Sequence, residues 1–151
     1  MLIGVPKEIK NNEFRVGLTP ASVRELTGHR HPVLVQSGAG LGIGVTDADY
    51  EAAGAQIAAD AQAVFAAAEL IVKVKEPQPA ECALLRPGQV LFTYLHLAPD
   101  PAQAQALMAS GAVCIAYETV TSAQGGAALA GPHVGSRRTH GGAGRRALPG
   151  A

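Results

Sequence analysis

Three side chains in this sequence are of the kinds that handle a small organic acid: Arg15, Lys75 and His96. An arginine offers a planar fork that makes two parallel hydrogen bonds to a carboxylate. A lysine ammonium is a compact charge that can polarise a carbonyl oxygen. A histidine ring titrates near neutral pH and can pass a proton either way. Such a set describes a site for an oxo acid or amino acid in proton-coupled chemistry. Each residue also has a plainer reading. Arg15 could be a surface arginine paired with Glu8 or Glu13, Lys75 a solvated lysine at a loop start, and His96 a structural histidine. Cys82 and Cys114 lack metal-type spacing, so no metal site is expected, and two cysteines make no disulfide framework.

The stretch from Ala68 to Pro77 must position Lys75. It opens as an apolar, β-branched run, as a buried parallel strand does. Pro77 cannot donate a ladder hydrogen bond and turns Glu76 away from helix, so the strand is expected to stop at Lys75-Glu76-Pro77. Carboxyl ends of strands are where open α/β sheets place ligands. Gln89 to Leu95 reads as a second buried strand with His96 at its end. Arg15 lies in a long polar loop after a first strand, Leu2 to Val5, and long loops in compact domains are often functional.

The remaining punctuation supports alternating strands and helices. Thr19 and Pro20 open a helix with Val23 and Leu26 inward and Gly28 as the left-handed residue after its end. Pro32 to Gln36 is a strand. Gly38 to Gly44 fails the GxGxxG test and opens no helix, so it is expected to be a flexible connector. Thr46 and Asp49 form a capping box, and Gln56-Ile57 a short strand. Asp60 caps a helix presenting Val64, Phe65 and Ala68 to the sheet. Pro79 to Leu85 is a helical turn and Pro87-Gly88 a turn. Asp100 and Pro101 start a helix through Ser110, and Val113 to Ala116 is a further strand. This order implies right-handed βαβ units: an α/β fold with a parallel sheet and flanking helices, Rossmann-like or flavodoxin-like. Arg15, Lys75 and His96 are expected at one sheet edge.

Composition sets the class. Hydrophobic residues make up 48% and charged residues 16% of 151, as in a globular chain. The 12 basic and 12 acidic residues balance, but Arg137, Arg138, Arg145 and Arg146 all fall in a tail without acids. The body is therefore mildly acidic, which argues against nucleic acid as a partner. No apolar run suits a membrane span and no signal-peptide pattern opens the chain, so a cytoplasmic protein is expected.

The motifs Met1-Leu2-Ile3-Gly4-Val5-Pro6-Lys7-Glu8, Asn12-Glu13-Phe14-Arg15-Val16, Thr19-Pro20, Lys73-Val74-Lys75-Glu76-Pro77, Tyr94-Leu95-His96-Leu97-Ala98 and Ala116-Tyr117-Glu118-Thr119-Val120 resemble the N-terminal part of alanine dehydrogenases. The resemblance runs from Met1 to about Gly125. It implies NAD-dependent oxidative deamination of L-alanine to pyruvate and ammonium. It implies that Arg15 and Lys75 hold the substrate and that His96 is the acid/base. It also implies hexamers, and NAD held by a second, Rossmann domain rather than by residues of this chain. The soluble nucleotide-binding part of proton-pumping transhydrogenases is the nearest alternative. It typically lacks the second lysine of Lys73-Val74-Lys75 and a histidine at the position of His96. A non-catalytic remnant is the other.

Residues 1–125 are thus expected to form the substrate-binding domain, with an unfinished sheet, an exposed apolar face and no dehydrogenase activity alone. From 126 to 151 the sequence turns Gly/Arg/His-rich without hydrophobic periodicity and is expected to be disordered. The genetic code permits codons for Ala127 to His133 that, displaced by one base, read Leu-Pro-Leu-Leu-Ala-Pro-Met. Val134 to Arg138 likewise permit Ser-Glu-Val-Ala-Gly. A shifted reading frame is the expectation there, ahead of an RNA-binding arginine/glycine tail, since aromatic stacking platforms are absent.

Overall fold

A computed structural model describes residues 1–121; the expected tail from 126 to 151 lies outside them. Six strands alternate with five α-helices. They are β1 Ile3–Val5, α1 Pro20–Gly28, β2 Val33–Gln36, α2 Asp47–Ala52, β3 Gln56–Ala58, α3 Ala61–Ala67, β4 Leu70–Val72, α4 Pro79–Cys82, β5 Val90–Thr93, α5 Pro101–Ser110 and β6 Val113–Ala116. The strands are all parallel, in the order β3-β2-β1-β4-β5-β6. Of the two doubly wound orders, this is the Rossmann one, with its switch point between β1 and β4.

The expected caps form. The Thr19 side chain accepts the Ser22 N–H at the start of α1, and Asp60 accepts that of Ala63 at α3. Thr46 and Asp49 close a reciprocal capping box on α2. One local expectation fails. Gly28 stays helical, and the left-handed residue is Arg30, at φ 63°. Helix α1 closes on His29, whose N–H reaches Glu25 and Leu26 carbonyls, so the reversal comes two residues later.

Two cores form, one on each sheet face. Val23 of α1 and Tyr50 of α2 pack with Val5, Val33, Val35 and Val72. Val64 and Phe65 of α3, Cys82 of α4 and Leu107 of α5 pack with Ile71 and Leu91. Gly4 permits the second packing: a Cβ there would stand 2.7 Å from that of Ala68. Among the described residues, part of the first face lies outside the core. Register sets Val72, Phe92 and Ile115 side by side. Phe92 and Ile115, with Tyr94 and Tyr117, belong to neither core, while Leu26 of α1 borders the cleft beside Leu70 and Val72. A shallow apolar cleft of about 490 Å³ opens there. The expected exposed apolar face is present among the described residues.

The glycine segment from Gly38 to Gly44 is not a loose connector. It closes into a 3-10 turn at Leu41–Ile43. A Cβ on Gly42 would overlap the Phe14 carbonyl oxygen, so this glycine lets the segment lie directly against the loop that carries Arg15. Gly42→Ala must push that loop away. We expect a loss of about 1–3 kcal/mol, as for other overpacking changes, measured by urea denaturation; an unchanged midpoint would show that the loop yields freely.

Candidate functional site

The carboxyl ends of β1, β4 and β5 carry the three candidate residues. The loop after β1 holds Arg15, the segment after β4 holds Lys75, and His96 follows β5. This is the switch-point edge, where the two halves of the sheet diverge and leave a crevice.

Arg15 is exposed and engaged by Glu13. Its Nε donates to Glu13 Oε1 at 2.8 Å and its Nη2 to Oε2 at 2.6 Å, and its backbone N–H donates to Oε1 at 2.9 Å. The pairing with Glu13 is therefore present. It occupies one edge of the guanidinium, and no described residue bonds Nη1. The end-on edge is left for a second carboxylate.

The Arg15 side chain is the main cause that holds the Glu13 carboxyl down at about 2. Burial works against it, and the Arg15 N–H and the charges of Arg15 and Lys75 add to the lowering. A folded-state value below the ordinary 4.5 gives stability that is complete above that pH. It is lost as pH falls from about 4.5 toward 2. Glu13→Gln is expected to flatten this part of the acid-unfolding curve; an identical curve for the variant would refute the pairing.

Lys75 is fixed through its backbone. Its N–H points to Glu8 Oε2 at 3.4 Å and its carbonyl accepts the Thr93 hydroxyl at 2.8 Å. No described residue bonds its Nζ. It lies close enough to Glu13 for its charge to act there. Strand β4 itself ends at Val72, three residues before the expected stop, and Lys73 turns inward. Lys73 is 1% exposed. Its Nζ lies 2.7 Å from Glu81 Oε1 and 3.2 Å from Glu8 Oε2, both carboxylates being buried. Glu8 also accepts the Val74 N–H at 2.7 Å, and Glu81 that of Gln78 at 2.8 Å. This triad ties the loop after β1 to the end of β4 and to α4.

His96 is exposed, has φ 45°, and stacks on Tyr94 with ring centroids 5.8 Å apart. Tyr94 in turn is near enough to Arg15 to raise its basicity slightly, the Glu13 hydrogen bond being the larger cause. All three residues follow strand ends on the same edge of the sheet, Arg15 against Glu13 and His96 against Tyr94. They do not line one enclosed pocket. A cleft of about 380 Å³ beside Arg15 is walled by Lys7, Glu8, Glu13, Phe14 and Leu41, with Lys75 and His96 outside its lining.

Sequence reasoning missed Glu8, Lys73, Glu81 and Glu118 as parts of this edge. Glu8 and Glu81 are 73 positions apart and meet only through Lys73, so local spacing carries no signal for them. Glu118 follows β6, at the end of a strand neighbouring the one that carries His96. That placement was the available clue.

The described residues do not fit a dinucleotide. The β1–α1 connection lacks closely spaced glycines, and the residue closing β2 is Gln36, whose Oε1 already accepts the Lys7 N–H at 2.9 Å. A ribose-binding acid would be expected near that position. No described helix is long and apolar enough to cross a membrane.

Comparison with known proteins follows the same lines. Residues 4–133 match the family described as alanine dehydrogenase/PNT, N-terminal domain. The alanine dehydrogenase of Halomonas elongata is 57% identical over 132 residues, which is 87% of this chain and 36% of that protein. A solved L-alanine dehydrogenase structure superposes with a TM-score of 0.80 at 50% identity, covering 84% of this chain and 35% of the other. A transhydrogenase structure from Sinorhizobium meliloti gives 0.73 at 30%, covering 78% and 35%. The chain spans about a third of the length of the curated relatives it matches.

Proposed function

This chain belongs to the alanine dehydrogenase/PNT N-terminal domain family, and on that premise we propose that it is the substrate-holding part of an NAD-dependent alanine dehydrogenase. The proposed reaction of the whole protein takes L-alanine, water and NAD⁺ to pyruvate, ammonium, NADH and a proton. The nucleotide's site belongs to another part of such a protein, because the β1–α1 turn and Gln36 of this chain do not suit it.

The residues of this chain would do three things. The free edge of Arg15, held in place by Glu13, grips the substrate carboxylate. Lys75 Nζ, without a described partner, polarises the carbonyl oxygen of pyruvate. His96 exchanges the proton that water addition and amine release require. The observation that carries this reading is the common sheet edge: two cationic groups and an imidazole that follow the carboxyl ends of the neighbouring strands β1, β4 and β5. Higher identity to alanine dehydrogenases than to the transhydrogenase favours this over a nucleotide-binding role.

Calorimetry on the 151-residue chain is expected to detect pyruvate binding, and a spectrophotometric assay is expected to find no alanine-dependent NADH. A chain that gives no heat with pyruvate at millimolar concentration would sink the substrate-holding role and leave the non-catalytic remnant.

A further inference from the structure

The backbone around His96 does something the proposed chemistry leaves unexplained. His96 is left-handed at φ 45°, a conformation that its Cβ disfavours and that needs a partner to persist. The partner is Glu118, in the 3-10 turn Tyr117–Thr119 after β6. Its Oε1 accepts the Leu95 N–H at 3.1 Å and the His96 N–H at 3.0 Å, and Oε2 lies 3.4 Å from the former. Two consecutive N–H groups converging on one carboxylate form a small anion cradle. The carbonyl of Leu95 is pinned from the other side by Gln103 Nε2 of α5, at 3.0 Å.

The turn that carries Glu118 is itself fixed by rings. Tyr117 meets Phe92 edge-on at 4.3 Å and Tyr94 at 5.0 Å, and Tyr94 is the ring on which His96 stacks. Backbone and ring of His96 are therefore referenced to the same short turn. Glu118 is exposed, so it is not part of either core. Burial pushes its carboxyl up, yet the N–H groups of His96, Glu118 and Leu95 and the nearby His96 ring bring it below the ordinary value overall.

We infer that Glu118 is the positioning residue of His96. By holding two successive N–H groups, its carboxylate fixes the left-handed turn that sets the imidazole on Tyr94 at the substrate rim. The role rests on the proposed use of His96 as acid/base, but the clamp itself can be tested without it.

The test uses the full chain with Glu118→Ala, His96→Gln and the double variant. Amide hydrogen exchange is read at Leu95 and His96, and pyruvate affinity by calorimetry. Glu118→Ala is expected to speed exchange at both amides and to weaken pyruvate about tenfold, the worth of one charge-assisted hydrogen bond. Added to His96→Gln, it is expected to cost nothing further, because it acts through that ring. Glu118→Gln, which keeps an acceptor oxygen, is expected to recover part of both losses. Unchanged exchange in Glu118→Ala, or losses that add in the double variant, would overturn the inference. Should the unmodified chain fail to bind pyruvate, the substrate-holding reading falls, while the exchange rates still decide for or against the clamp.

Discussion

Lys73→Met is expected to cost about 3–5 kcal/mol, the usual penalty for removing one partner of a buried ion pair. Glu8 and Glu81 are both buried, with 7% and 2% exposure, and Lys73 is what separates them. Without it, two carboxylates face each other in the interior. Neither can leave easily, because Glu8 is tied to the Val74 N–H and Glu81 to the Gln78 N–H. A domain of this size has about 5–15 kcal/mol in total, so much of the fold's margin goes. Urea denaturation measures it. The triple variant Lys73→Met, Glu8→Gln, Glu81→Gln is expected to regain part of the loss, since no charge then stays buried. A loss below about 1 kcal/mol for the single change would mean that the triad is solvated and does not hold the loop.

Arg15→Lys is expected to weaken pyruvate binding by about 10- to 100-fold, equivalent to about 1.5–3 kcal/mol for hydrogen bonds between charged groups. The charge is kept, so any loss reports geometry. Arginine serves two carboxylates at once here: Glu13 takes Nε and Nη2, and the end-on edge is left over. An ammonium has no second planar edge, and Glu13 would compete with the ligand for the same three protons. Arg15 is 59% exposed on its side chain but Glu13 only 6%, so the thermal midpoint of the variant is measured alongside to separate lost stability from lost recognition. Calorimetry with the variant checks the effect. Equal affinity would show that Arg15 supplies only charge and that the fork is irrelevant to recognition.

Most of the fold could be read from residues. Thr19, Thr46, Asp60 and Asp100 each cap the helix they were expected to cap, because capping is decided within three or four positions. The parallel sheet followed from alternation. What escaped was long-range. Lys73 and Lys75 look equivalent in a strand that alternates, yet one is buried and one half-exposed. The difference comes from Glu8, 65 positions away in sequence, and from Glu81 in α4. Similarly, nothing local separates Gly28 from Arg30 as the reversing residue, and the glycines near Gly42 read as slack until Phe14 lies against them. Arg15, Lys75 and His96 were legible as a group because strand ends are predictable. Their supports Glu13 and Glu118 stand in the same motifs, but only Glu13 lies near enough in sequence to its partner, two residues away, for the pairing to be legible.

The part of the sheet that no described core residue covers has a consequence for how the molecule behaves in company. Ile115, 42% exposed, and its neighbour Phe92 offer, in the native state, the type of greasy ledge that a chaperone ordinarily encounters on a misfolded one. Held by itself this fold should light up environment-sensitive dyes without being molten, and salting-out conditions should clump it long before heat unfolds it.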